Sequence, residues 1–343
     1  MKELAGKSKY SHPVHSFIMD PCDPVWKTFF TKDELDEIIK FDQMQLPALP
    51  DNWNQCIDAF KNLSSTSAIY REAIKQLNSS QKEHDEKWIL HSIINILDLY
   101  TYNILSTDMS EADILNKVWG FIYKGFYHGI IDPKLGEVSS SSSSLNQNQY
   151  RSLETINPRK RKITGRKVDI LFKYGSMELG CTEVGRDSAP TDDKYIDDGM
   201  KKAPIALKDM LSVMVDNDEV MKKKLSSIGV IIMGLKIQIL IMDAPAGKIC
   251  RLTKSDFFNF PRSVEVFYKD FKPLLQIVHI LKSIMINNIN TINENTTTKS
   301  VTLPSTSLKP LLIPPSFIPS DSSSPSSPTS SSPCKVSRIK TDD

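Results

Sequence analysis

A chain of 343 residues, 40% of them hydrophobic, can bury a substantial core and has room for one large domain or two modest ones. Its 43 lysines and arginines nearly balance 41 aspartates and glutamates, so the net charge of +2 excludes a partner held by bulk charge and confines any basic surface to a local run. Five scattered cysteines, none close to another, exclude a zinc ribbon and a dithiol redox motif and fit a reducing compartment.

In chain order, the opening "MKELAGKSKYSHPVHSF" lacks the apolar run of a signal peptide, and residues 1–20 are expected to be flexible, with His12 and His15 exposed to solvent. Residues 21–135 read as a helical layer. Thr31 followed by Glu34 has the spacing of a capping box, and "AIYREAIKQL" continues the amphipathic pattern. Ile89, Ile93, Ile96, Leu97, Tyr100 and Ile104 recur at helical spacing. Ser110 and Asp113 start a helix over 110–128, expected to pack on the domain that follows. Residues 136–165 then read as a linker: "SSSSSSLNQNQYR" has almost nothing to bury, and "NPRKRKITGRK" is the densest basic run.

After the linker the period changes, and the segments become short and β-rich. "RKVDILF" and "ELGCTEV" predict two strands joined by a tight turn at Gly175 and Ser176. A helix from Asp193 to about Val215 follows, with Pro204 kinking it or breaking it in two. "SIGVIIMGL", "KIQILIMDA" and "KICRLTK" predict three more strands, and a long amphipathic helix from Ser263 to Asn288 closes the domain. The order predicts an α/β (α+β) domain over 166–292 with a central mixed sheet flanked by helices. Residues 293–343, rich in Ser, Thr and Pro, are expected to be a disordered tail. No stretch is apolar for long enough to span a bilayer, so no membrane partner is expected and the chain is assigned to nucleus or cytoplasm, not secreted.

Two acids stand out. Asp169 shares a strand face with Leu171 and Lys173, and Glu183 shares one with Cys181 and Gly185. If the hairpin brings these faces together, the carboxylates have the chemistry to hold Mg2+. The plainer alternative is that they pair with Lys167, Lys173 or Arg186 at a solvated sheet edge. A helix, an Asp on one strand, a Glu on the next after thirteen residues, then a helix and further strands resembles the PD-(D/E)XK nuclease superfamily. "ELGCTEVGRD" followed by "DDGMKKAPIALKDML" is similar to a group of fungal proteins with a restriction-endonuclease-like core, over about Glu111 to Leu240. The resemblance implies that Asp169 and Glu183 are metal ligands and catalytic residues, with Glu111 as an additional acid. The lysine that the family carries two residues after the glutamate falls on Gly185 here. Lys194, Lys201 or Lys202 of the next helix would then supply its charge, Lys201 being the one assigned.

Arg159, Lys160, Arg161, Lys162, Arg166 and Lys167 form an exposed cluster suited to phosphates or to nuclear import, leading directly into the Asp169 strand. Buried Cys181 reads as a small hydrophobe, and phosphate-loop and nucleophile-elbow patterns are absent from the sequence. Two functions remain: a Mg2+-dependent nuclease acting on DNA or RNA, or a catalytically inactive nuclease-like nuclear protein that binds nucleic acid or a protein partner.

Overall fold

The computed structural model describes residues 1–7, 12–79, 82–149, 151, 161–186, 195–298 and 311–316. Eight strands form one mixed sheet: β1 (Ile18–Met19), β2 (Asp132–Ser139), β3 (Lys167–Tyr174), β4 (Met177–Gly185), β5 (Ser227–Met233), β6 (Lys236–Asp243), β7 (Cys250–Lys254) and β8 (Phe258–Asn259). Their order is β1-β7-β6-β5-β4-β3-β2, with β8 also on β6. Only β1–β7 and β4–β5 run parallel among these pairs. The helices are α1 (Lys2–Lys7), α2 (Lys32–Lys40), α3 (Asp51–Asp58), α4 (Thr66–Leu77), α5 (His84–Thr101), α6 (Glu111–Asp113), α7 (Gly120–Lys124), α8 (Ser141–Asn148), α9 (Ala203–Val215), α10 (Glu219–Lys224) and α11 (Phe267–Thr298). The fold is mixed α/β, a central sheet flanked by helices, as the element order implies.

Each face of the sheet has its own cover. Leu207 of α9 lies over Gly229, 3.0 Å from where a Cβ would stand, and Met285 of α11 lies over Gly180 at 2.9 Å. Because side chains alternate along a strand and cross-strand partners share a face, α9 covers Leu171, Cys181 and Gly229, whereas α11 covers Phe172, Gly180 and Ile228. On the α11 side, Phe126 just beyond α7 packs against Phe172 with ring centroids 4.8 Å apart and the rings tilted by 45°, and Trp88 of α5 meets Trp53 of α3 at 5.3 Å. One continuous apolar core runs from Ile18 through Trp53, Ile89, Phe172 and Leu207 to Ile313, so the helical region and the sheet are halves of one structure.

Helix starts follow the local rules. Thr31 and Glu34 form the expected capping box, the Glu34 amide donating to Thr31 Oγ1 at 3.3 Å and the Thr31 amide to Glu34 Oε2 at 2.7 Å. Ser110 and Asp113 do the same at 3.1 and 3.2 Å. The helix expected over 110–128 is divided into α6, a wider turn over Ile114–Val118, and α7. Pro204 sits in the first turn of α9, where a wider helical segment over Tyr195–Lys202 ends, so the expected division of this helix into two pieces falls at that junction.

Four expectations are corrected. Residues 1–20 are not all a loose terminus: α1 forms, β1 pairs with β7, and Val14, Ile18 and Met19 are buried. His12 accepts the Val14 amide at 3.1 Å and lies 3.3 Å from Asp23, so it caps a short helical turn over Pro13–Ser16. Residues 136–165 are not a plain linker, since they hold the second half of β2 and all of α8, and Gly165 passes so near Ser140 that a Cβ would lie 1.7 Å from its carbonyl oxygen. The closing helix spans Phe267–Thr298, past the expected helix end at Asn288 and the expected domain boundary at 292. Within the expected tail, 311–316 is docked on the core: Ile313 is buried, Pro314 O accepts from Lys208 Nζ at 2.5 Å, and Ser316 Oγ donates to Asp209 Oδ1 at 2.7 Å. Most of the remaining tail lies outside the described residues, and among the described residues no helix is long and apolar enough to cross a membrane.

The serine run orders because it solvates buried carboxylates. A bulge at Leu179, between the pairs Phe172–Gly180 and Lys173–Glu178, turns Glu178 onto the α9 face. There the N-terminus of α8 receives it: Ser140 Oγ, Ser141 N and Ser141 Oγ each donate at 2.7 Å and Ser142 N at 3.0 Å. Burial by itself would raise the Glu178 carboxyl, but these donors hold it below the ordinary glutamate value. Its contribution to stability is therefore present above the ordinary glutamate pKa, about 4.3, and is lost as pH falls through the lower folded-state value. Glu178→Ala, which strands four donors, those of Ser140 and Ser142 buried, should cost about 3 kcal/mol in urea unfolding. Glu178→Gln should flatten the acid limb of the stability–pH curve; an unchanged limb would rule out this account.

Candidate active site

The β3–β4 hairpin brings the two acids together. The ladder pairs Tyr174 with Met177 at the turn and Ile170 with Thr182 at its far end, so the next residues in register, Asp169 and Glu183, are cross-strand neighbours on the α9 face. At that point the strands part. The Val184 amide donates not to backbone but to Asp169 Oδ2, at 2.8 Å. Beyond it β3 stays with β2, through Val168–Val138 and Lys167–Ser139, while β4 stays with β5 as far as Gly185–Met233. The acids thus mark the fork of the sheet, where backbone pairing between β3 and β4 gives way to side-chain contacts.

Glu183 is 1% exposed, flanked by Asp169 on one side and by Ile231 of β5 on the other. A buried carboxylate needs donors or a counter-charge. Lys202, the last residue before α9, supplies one: its Nζ lies 2.5 Å from Glu183 Oε2, with the lysine side chain 36% exposed. Asp169 is half-buried. Cys181, one strand position back on the same face, is fully buried, and burial followed by the Glu183 charge pushes its thiol well above the ordinary value, so it is no nucleophile.

The remaining assigned residues divide. Lys201 is not at the site: its Nζ reaches Asp197 at 2.8 Å, on the exposed side of its helical segment. One residue step turns a helix by about 100°, which is why Lys202 faces Glu183 and Lys201 does not. Lys194 lies outside the described residues. Gly185 ends β4, its carbonyl accepting the Gly234 amide at 2.8 Å. Glu111 opens α6 in the helical layer and is not gathered with the pair; among the described residues no group of three or more His, Cys, Asp or Glu stands together to hold a metal.

The basic run is also divided. Arg161 and Lys162 are exposed, and Lys167 is exposed with Glu137 3.1 Å away. Arg159 and Lys160 lie outside the described residues. Arg166 turns inward: it is half-buried, burial lowers its pKa and the Asp209 charge opposes that shift, while its carbonyl accepts the Ser140 amide at 2.8 Å. It belongs to the interior network, not to an open basic face. That network, Glu178 with the serines and Asp209 with Ser143, Asn146 and Ser316, leaves no signal in the sequence, because a run of serines looks alike whether solvated or folded around an acid.

Removing Lys202 leaves Glu183 buried beside Asp169. Lys202→Met should lower stability by about 2 kcal/mol, less than a fully enclosed pair would lose because solvent reaches the lysine. Lys202→Met combined with Glu183→Gln should recover most of that loss; additive losses in this double-mutant cycle would mean that the pair is not coupled. No protein-family model, no curated protein and no solved structure matches this chain.

Proposed function

We propose that this protein is a Mg2+-dependent nuclease that hydrolyses phosphodiester bonds, with Asp169 and Glu183 as the metal-binding pair and Lys202 as the cationic partner. The observation that carries the reading is the fork itself: two carboxylates juxtaposed where β3 and β4 part, with a lysine on one of them. The surrounding order supports it, since α7, the antiparallel β2–β3–β4 meander, α9 and the parallel strand β5 resemble the PD-(D/E)XK layout.

The donors suit the ion. Two hard carboxylates from adjacent strands are what Mg2+ takes from a protein, its other positions being water and phosphate oxygens. Bound there, the ion would supply positive charge to the phosphoryl oxygens and acidify a water. The chain's own groups prepare the site. The Val184 amide orients Asp169 by fixing Oδ2, and the Lys202 ammonium balances the charge of Glu183. On this reading Lys202 takes over from the lysine that Gly185 replaces, reaching the site from the helix side, with charge directed at the phosphoryl group as it develops negative character.

A second reading has its own support. Lys202 occupies one oxygen of Glu183 at 2.5 Å, and together with Gly185 this fits an inactive nuclease-like protein that binds nucleic acid or a protein partner. Cleavage of supercoiled plasmid and of single-stranded RNA, with Mg2+ or Mn2+, separates the two. On the nuclease reading EDTA abolishes cleavage, Asp169→Asn and Glu183→Gln remove it, and Lys202→Met lowers kcat by about 10²–10³. Absence of cleavage by the folded wild-type chain would select the binding reading.

A further inference from the structure

Past the fork, β4 ends at Gly185 and the next residue, Arg186, opens onto a cleft of about 270 Å³. Its wall includes Thr107, Asp108, Arg186, Gly234 and Arg262. The floor is rigid: the Gly234 amide donates to Gly185 O at 2.8 Å, and Trp119 Nε1 donates to Gly234 O at 2.9 Å. Gly234, at φ +57°, makes the β5–β6 turn that sets this floor. The arginines are the movable part. Arg262 is exposed, and Arg186, 52% exposed, pairs with Asp108 at 2.5 Å, a carboxylate that is itself 89% exposed. An ion pair this open contributes little and exchanges readily for another anion.

We propose that this cleft binds the phosphodiester backbone of a nucleic-acid strand, with Arg186 and Arg262 as the phosphate contacts and Asp108 as the internal counter-ion that phosphate displaces. Guanidinium groups present paired N–H donors that match phosphate oxygens, and two of them on one rigid floor define a track. Arg186 lies three residues beyond Glu183, roughly 10 Å along an extended strand, at the end of the sheet where exposed Lys167 begins β3. Strand alternation turns it to the face opposite Glu183, and its contact with Asp108 puts the cleft on the side of the helical layer, so a nucleic-acid strand held in the cleft would reach the acids by passing round the end of the sheet. The identity of the ligand rests on the nuclease reading; the cleft and its two arginines do not.

The test is binding of fluorescently labelled DNA and RNA oligonucleotides to the full chain in EDTA, where no cleavage occurs, across a series of salt concentrations. Arg186→Gln and Arg262→Gln should each weaken binding by about tenfold and lower the slope of log K against log salt by about 0.7–0.9. Asp108→Asn should tighten binding about threefold, a gain that a misfolded variant does not produce. Wild-type affinity and slope in the double arginine variant would overturn the proposal, as would failure of the wild-type chain to bind either polymer. The metal-dependent cleavage assay run in parallel keeps the two ideas apart. Arginine-dependent binding without cleavage retains the cleft and removes the nuclease, whereas undiminished cleavage and binding by the double arginine variant removes the cleft alone.

Discussion

Placing carboxylates on a buried sheet face is the constraint around which the rest of this molecule is arranged. Asp169, Glu178 and Glu183 all project from the β3–β4 hairpin toward α9, and each is met by a different kind of donor: a backbone amide, the N-terminus of a helix and a lysine. An uncompensated carboxylate in such a place would cost several kcal/mol or give up its charge. The serine run folds into α8 because Glu178 needs its amides and hydroxyls. The chain enters α9 through Lys202 because Glu183 needs a cation. A single bulge at Leu179 decides that Glu178 joins this set rather than facing α11.

Helix α9 links these demands. Lys202 at its entrance holds Glu183, while Asp209 in its body collects Ser143 Oγ at 2.7 Å, the Asn146 side chain and Ser316 Oγ. Burial raises the Asp209 carboxyl despite those hydroxyls and the nearby Arg166 and Lys208 charges. Lys208, 1% exposed, sends its ammonium to the carbonyl of Pro314. The docked segment at 311–316 thus satisfies polar groups that the sheet and helices leave over, and Ile313 seals them with an apolar side chain. Its ordering has an enthalpic reason that composition does not reveal.

The candidate site follows from how the sheet ends. Strands that stay paired offer their backbone groups only to each other; where β3 and β4 separate, Asp169 must use its carboxylate to satisfy the Val184 amide, and Glu183 is left facing α9 at the mouth of the fork. That geometry unites an acid pair and a cation, which is why the nuclease reading has a physical basis beyond a short motif. The same lysine contact is what an inactive relative of such enzymes would also carry, so chemistry in solution, not architecture, separates the two readings.

Much of the architecture was legible from local pattern. Apolar spacing marked the core of α5, short β-rich runs marked β3 to β7, and Thr31 with Glu34 marked the start of α2, because these signals depend on neighbours within a turn or a strand. Asp169 and Glu183 were legible as candidates on the two arms of that hairpin, but the turn at Gly175 alone would pair Asp169 with Thr182; the bulge at Leu179 shifts the register by one and brings Glu183 opposite Asp169. Three further features were decided only in three dimensions. Ser140 to Ser143 became a helix cap rather than a linker because Glu178 arrives from 38 residues away. Lys202 rather than Lys201 faces the acids because the phase of a helix is set by what its buried side packs against. Arg166 turned inward because the charge of Asp209 lies there. In each case the deciding partner is distant along the chain, and only folding brings the two together.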